Sequence, residues 1–321
     1  MLDKTWCLLL SLSDNMWNDS AVRPDCTGRR FYLKLNAEKK AWDEIVDFAA
    51  ANGINAILVD VGDGIAYKSH PEIAVEGAWT PEYMNEEVKR LKQKGFAVYP
   101  KLNFSAAHDA WLGMYGRMLS TPDYYEVVKD LIHEVIDIFD TPELFHLGMN
   151  EEGESSQKLL DFACYRQYEM LWNDMNFMFD CVREKGVRPW IWADTAWSDF
   201  EGFVENVGKD VLVSPWYYAH MFSDPAAPLI DEPLHVAQRD SYKKLTEAGY
   251  DIVPSATNDL SLNYNLDHQI RFSAENAVAE RVKGFLITCW RQTIERHKYR
   301  YFAALQNAGE MKKKYFGGEE K

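Results

Sequence analysis

The stretch TPDYYEVVKDLIHEVIDIFDTPELFHLG, residues 121–148, shows the unit from which the chain is built. Thr121 supplies a capping hydroxyl, and Pro122 takes the first helical position, where its missing N–H costs nothing. Val128, Leu131, Ile132, Val135 and Ile136 then recur at the three- and four-residue spacing of one helix face. The short apolar run Leu144–Gly148 follows and reads as a strand buried on both sides.

The same unit continues in both directions. Apolar runs at Trp6–Leu12, Ile54–Val61, Phe96–Leu102, Arg188–Ala193, Val211–Trp216, Asp251–Ala256 and Gly284–Trp290 bring the strands to eight. They are largely apolar rather than alternating, as in parallel strands covered on both faces. Trp42, Ile45, Val46 and Ala49 form a helical stripe closed by Gly53, and Thr80-Pro81 repeats the capping signal. Gly95, Gly186, Gly249 and Gly284 recur where a helix gives way to the next strand. Only Phe200–Val207 is available as the helix between the fifth and sixth strands. Eight such units favour an α/β fold of the closed kind, a (β/α)8 TIM barrel, over an open doubly wound sheet. No GxGxxG or P-loop follows the first strand, and no Gly/Pro/Ser-rich linker divides residues 1–321, so one domain is expected.

Composition bounds the function. A net charge of −15 opposes nucleic-acid binding, which needs a basic surface. No run of 18 apolar residues is present to span a membrane. Met1–Leu12 lacks the long apolar region and cleavage site of a signal peptide and reads as the buried first strand. Five cysteines without a CxxC pair make neither a disulfide framework nor a zinc site, so a cytoplasmic setting is the simplest expectation. No cofactor is expected, and pairing of free barrel edges into a homo-oligomer is left open. The 11 tryptophans and 17 tyrosines either stack on sugar rings or serve only as core.

In a barrel of this kind the residues just after each strand converge on one face. Here they are Ser13, Asp14 and Asn15; Asp60 and Asp63; Lys101, Asn103 and His108; His146, Asn150, Glu151 and Glu152; Trp192, Asp194 and Trp197; Trp216, Tyr217 and Tyr218; Thr257 and Asn258; and Trp290, with Glu295 a little further on. A mouth rich in carboxylates and tryptophans suits a neutral polyol better than a phosphate ester. Breaking a glycosidic bond needs a carboxyl kept protonated near neutral pH, and burial against tryptophan raises a carboxyl pKa. Glu151 is the candidate acid. The plainer reading of Glu151, Glu152 or Glu154 is favourable charge at a helix start. His146 reads equally as a core histidine, Trp42 and Trp172 as helix packing, and no histidine–acid spacing fits a metal motif.

Taken together, these residues resemble the family-20 glycoside hydrolases, the exo-acting β-N-acetylhexosaminidases. Their strand-four motif His-x-Gly-Gly-Asp-Glu reads here His146-Leu147-Gly148-Met149-Asn150-Glu151. The stretch from Asp63 to Trp79 is similar to the family's second-strand loop, and Pro100 to His108 to its Pro-Glu-x-Asp-x-Pro-Gly-His, with one residue inserted. Trp192, Trp216 and Trp290 fall where the family places the walls of its acetamido pocket. The resemblance implies substrate-assisted retaining hydrolysis, with Glu151 protonating the leaving group while the sugar's 2-acetamido oxygen attacks the anomeric carbon. The Asp that steadies the oxazolinium is here Asn150, an amide that can accept a hydrogen bond but carries no charge. A related endo-acting family works with Asn in that role. From their places at the strand ends and in these motifs, Asp14, Asp63, His108, His146, Trp192, Asp194, Trp216, Tyr218 and Trp290 are expected to contact the sugar. Lys101 and Asn103 depart from the motif, and the family's strand-one arginine is not evident, unless Arg29 or Arg30 replaces it.

The Asn-Glu pair also looks like the strand-four signature of barrel β-glycosidases that act on plain sugars. Those need a nucleophilic Glu after strand seven, and with none there the role would fall to Asp194 or Glu295. An inverting enzyme pairing Glu151 with Asp63 or Asp194, and a catalytically silent sugar-binding barrel, complete the alternatives.

Overall fold

The computed structural model describes residues 4–16, 31–158, 160, 162–219, 232–259 and 265–317; Arg29 and Arg30 lie outside them. Eight strands are present: β1 (Thr5–Ser11), β2 (Ala56–Asp60), β3 (Ala97–Lys101), β4 (Leu144–His146), β5 (Arg188–Trp192), β6 (Leu212–Ser214), β7 (Ser255–Thr257) and β8 (Gly284–Thr288). Each pairs in parallel with its neighbours in the order β6-β5-β4-β3-β2-β1-β8-β7. The β6–β7 seam is joined by bridges Val213–Ile252 and Trp216–Ser255, and Ser255 N–H donates to Pro215 O at 2.9 Å. Pro215 and Pro254 have no N–H to give to a ladder, which is why these two strands are short and β7 begins four residues later than its apolar run. This is the expected (β/α)8 barrel.

The apolar strands divide by parity into two clusters. Cys7, Leu9, Ala56, Leu58, Tyr99, Leu144, Trp190, Leu212 and Leu286 pack in the barrel interior. Their neighbours Trp6, Leu8, Leu10, Ile57, Val59, Val98, Phe145, Ile191, Val213 and Ile287 pack outward with the helices. Those helices run Lys39–Ala51, Pro81–Gln93, Pro122–Ile138, Glu169–Glu184, Phe200–Asn206, Pro233–Glu247, Leu266–Asn276 and Lys298–Phe316. Thr80 and Thr121 cap theirs as expected, accepting from Tyr83 N–H at 3.1 Å and Tyr124 N–H at 3.3 Å. Trp42 is buried with its indole N–H on Glu87 at 2.8 Å, a packing role. Gly284 differs from the other interface glycines. It opens β8 itself, where a Cβ would stand 2.0 Å from the Thr5 carbonyl oxygen, so its smallness sets how closely β1 and β8 approach.

Candidate active site

At the C-terminal ends of the strands the inward positions turn polar: Ser11, Asp60, Lys101, His146, Ser214, Ser255 and Thr288 are all buried. Asp60 and Lys101 stand opposite each other in the β2–β3 register and form an ion pair that is fully out of water. Burial pushes the Asp60 carboxyl pKa up and the Lys101 ammonium pKa down, and each opposes the other's shift. His146 sits between Trp190 and Trp192, with ring centroids 4.9 and 4.7 Å away. Its Nδ1 accepts from Gly148 N–H at 3.0 Å, while burial and the Lys101 charge hold its pKa well below the usual range. His146 is therefore a neutral floor beneath the site rather than part of its wall.

Above this floor lies a cavity of about 220 Å³, lined by Met16, Asn103, His108, Asn150, Glu151, Trp192, Trp216, Tyr218, Asp259 and Trp290. The turn after β4 delivers Asn150 and Glu151, and its backbone is strained. Gly148, Met149 and Glu151 take φ of 77°, 62° and 56°, and Trp290 takes 48°. Side-chain-bearing residues adopt such angles at a cost, and they collect at functional sites. A Cβ on Gly148 would lie 2.0 Å from Asn103 Oδ1. Only glycine lets the β4 turn run this close to the β3 loop.

Glu151 is held from both sides. Its Oε2 meets His108 Nε2 at 2.5 Å, and its backbone N–H donates to Asp194 Oδ1 at 3.1 Å. The second Asp194 oxygen accepts from Trp216 Nε1 at 2.8 Å. Burial first, and then the Glu151 charge, raise the Asp194 pKa well above the ordinary carboxyl value. Asn150 Oδ1 accepts from Asn103 Nδ2 at 3.2 Å, while the Ser105 hydroxyl 3.0 Å away directs its single proton to Asn103 Oδ1. One lone pair of this oxygen is engaged, so the amide offers both a second acceptor position and its NH₂.

Aromatic rings close the remainder. Trp192 and Trp290 pack with centroids 5.7 Å apart, Trp216 lies 4.9 Å from Tyr218, and the Tyr218 hydroxyl pairs with Ser255 Oγ at 3.1 Å. Burial pushes the Tyr218 pKa up to about 12, so it stays a neutral hydroxyl. Trp192 Nε1 is buried without a hydrogen-bond partner among the described residues.

Thus the structure gathers Glu151, Asn150, His108, Trp192, Trp216, Tyr218 and Trp290 around one cavity, with Asp194 directly behind Glu151. Asp14 and Asp63 are buried outside its lining. Asp14 accepts from Gln292, while Asp63 accepts from Ser13 and, at 2.7 Å, from Asn15, which secures the loop after β1. Glu152 does not line this cavity; it accepts from Ala106 N–H at 2.9 Å and from buried Arg166 at 3.1 Å. Glu295, the alternative nucleophile, is on the surface beside Lys298 and Lys40 and does not reach the cavity. Asp259 was not among the expected residues, although counting by twos from inward-facing Ser255 and Thr257 leads to it. Asn258, which was expected, instead donates to Arg300 O at 2.8 Å on the outer helix.

The fold and mouth define a (β/α)8 barrel with a carboxyl group at the end of β4. No family model matches the chain, and neither does any curated protein. Solved structures do. A β-N-acetylhexosaminidase from Bacteroides fragilis NCTC 9343 superposes with a TM-score of 0.63 at 14% identity, over 95% of this chain and 65% of that one. A family-20 exo-β-N-acetylglucosaminidase from Vibrio harveyi gives 0.62 at 14% identity, over 95% and 54%. Dispersin B gives 0.60 at 15% identity, over 96% and 98%. The chain therefore spans about two thirds and about half of the first two proteins and nearly all of the third. At these identities the likeness establishes the fold.

Proposed function

We propose that the chain is an exo-acting glycoside hydrolase that releases a β-linked N-acetylhexosamine with retention. The observation that carries this reading is the placement of Glu151, gripped by His108 and backed by Asp194, in a cavity with room for one sugar ring walled by Trp192, Trp216 and Trp290. Glu151 gives its proton to the glycosidic oxygen while the substrate's acetamido oxygen attacks the anomeric carbon. The alcohol leaves, and the Glu151 carboxylate then takes a proton from the water that reopens the oxazolinium. Similarity in fold to hexosaminidase barrels supports the same reading.

A panel of aryl glycosides tests it. Turnover is expected for 2-acetamido β-glycosides and not for plain glucosides or galactosides, and Glu151→Gln should lower it by about 10²–10⁴-fold, the usual contribution of a general acid. A second reading draws on Asp259, which lines the same cavity past the end of β7 and could serve as nucleophile toward a non-acetylated sugar. Its ion pair with Arg291 weakens it as a nucleophile. Turnover of plain glycosides that disappears in Asp259→Asn would favour that mechanism instead.

A further inference from the structure

Glu152 directly follows the proposed acid, and a second carboxylate beside it is unfavourable unless something offsets its charge. The helix after it, Glu154–Gln157, is four residues long and starts without a side-chain cap, so a helix start does not account for Glu152. Instead the side chain is buried, and its Oε1 accepts from Ala106 N–H at 2.9 Å. Arg166, whose side chain is fully out of water, donates through one nitrogen to Glu152 Oε2 at 3.1 Å and to Phe104 O at 3.2 Å. Asp174 and the Tyr124 hydroxyl hold the rest of the guanidinium, at 2.7 and 2.8 Å. The Glu152 carbonyl in turn accepts from Gln157 Nε2 at 3.0 Å.

Phe104 and Ala106 belong to the loop after β3 that carries His108, whose own N–H donates to Ser105 O at 2.8 Å. The contacts therefore close a ring. It runs from Glu151 to Glu152, across that carboxylate to Ala106, on to His108, and back through the imidazole to Glu151 Oε2 at 2.5 Å. Neither Glu152 nor Arg166 lines the sugar cavity. A buried ion pair seldom adds net stability over an apolar pair of the same shape, so stability is a weak reason to place one here. An apolar pair, however, could not hold a loop N–H and the turn after β4 at one fixed separation.

We infer that Glu152 and Arg166 are positioning residues that set the contact between His108 and Glu151 without touching substrate. Their effect on rate rests on the reading of Glu151 as acid. Glu152→Gln keeps an acceptor for Ala106 N–H, whereas Glu152→Met keeps only the length. A misplacement of about 1 Å can cost about 10²-fold, so Glu152→Met should lose about tenfold or more in kcat on an aryl 2-acetamido β-glycoside, with KM unchanged. Glu152→Gln should lose far less. A role in stability alone would lower the denaturation midpoint and leave kcat per folded molecule where it was. That result, or an equal loss in both variants, would overturn the assignment. A structural measurement keeps it separate from the proposed reaction. Crystal structures should show the His108–Glu151 contact kept in Glu152→Gln and opened beyond about 3.2 Å in Glu152→Met. An opened contact sustains the positioning role even where no glycoside is turned over, and an unmoved one refutes it whatever the enzyme hydrolyses. Should Glu152→Met not fold, Arg166→Lys is read for the same two outcomes, because an ammonium keeps the charge but loses the fork that spans Glu152, Phe104, Asp174 and Tyr124.

Discussion

At the residue scale, Asn150 distinguishes this site from one that supplies a second carboxylate. Its Oδ1 accepts from Asn103 and keeps a second lone pair, but as an amide oxygen it carries no charge. In Asn150→Asp, one carboxylate oxygen would keep the Asn103 donor while the other faced the acetamido N–H as a charged acceptor. A hydrogen bond to a charged group contributes about 1.5–3 kcal/mol, so kcat on 2-acetamido glycosides should rise by about tenfold or more. The added negative charge beside Glu151 should also hold its proton to higher pH, moving the basic limb of the pH–rate profile upward. A fall in kcat with an unmoved basic limb would count against this role. Single residues were legible where they follow a motif, as with Glu151, or strand parity, as with Trp192 and Trp290. Their surroundings were not legible where partners distant in sequence supply them. Nothing near Asp63 announces that Ser13 and Asn15 will claim it, and nothing near Glu152 announces Arg166.

At the element scale, the turn after β4 is the part most dependent on its exact residues. Gly148→Ala must place a methyl group against Asn103 at positive φ, costing roughly 1–3 kcal/mol and displacing the group that holds Asn150. Lower denaturation midpoint and lower turnover should appear together; a stable, inactive variant would separate them and contradict the argument. Behind the turn, Arg166 is fully buried between Glu152 at 3.1 Å and Asp174 at 2.7 Å, and also donates to the Tyr124 hydroxyl at 2.8 Å. Arg166→Leu would strand two carboxylates and should cost about 3–5 kcal/mol by chemical denaturation. The elements themselves were legible because caps, stripes and apolar runs are local signals. Strand ends at Pro215 and Pro254 were less so, because a missing N–H shortens a strand without changing how apolar its run reads.

At the scale of the whole molecule, a barrel this polar at its mouth links stability to pH. Burial pushes the Asp63 pKa up to about 6, above the unfolded value near 3.9, so the folded state binds more protons between those limits. From this group, stability is greatest below about pH 4 and declines by about 2–3 kcal/mol as pH rises through 6. Asp63→Asn should flatten that part of the curve in denaturation at pH 4 to 7, and an unchanged slope would assign it elsewhere. The closed barrel was readable from eight repeating units, whereas the cavity was not, since it forms only when the ends of β1 and β3 to β8 bring residues as far apart as Met16 and Trp290 around one hollow. The central claim is that Glu151 acts together with the substrate's own acetamido group. Its most direct test is inhibition by a thiazoline mimic of the oxazoline during turnover of an aryl 2-acetamido β-glycoside. Competitive inhibition far tighter than the substrate's KM is the predicted result, and undiminished turnover at saturating thiazoline would contradict the mechanism.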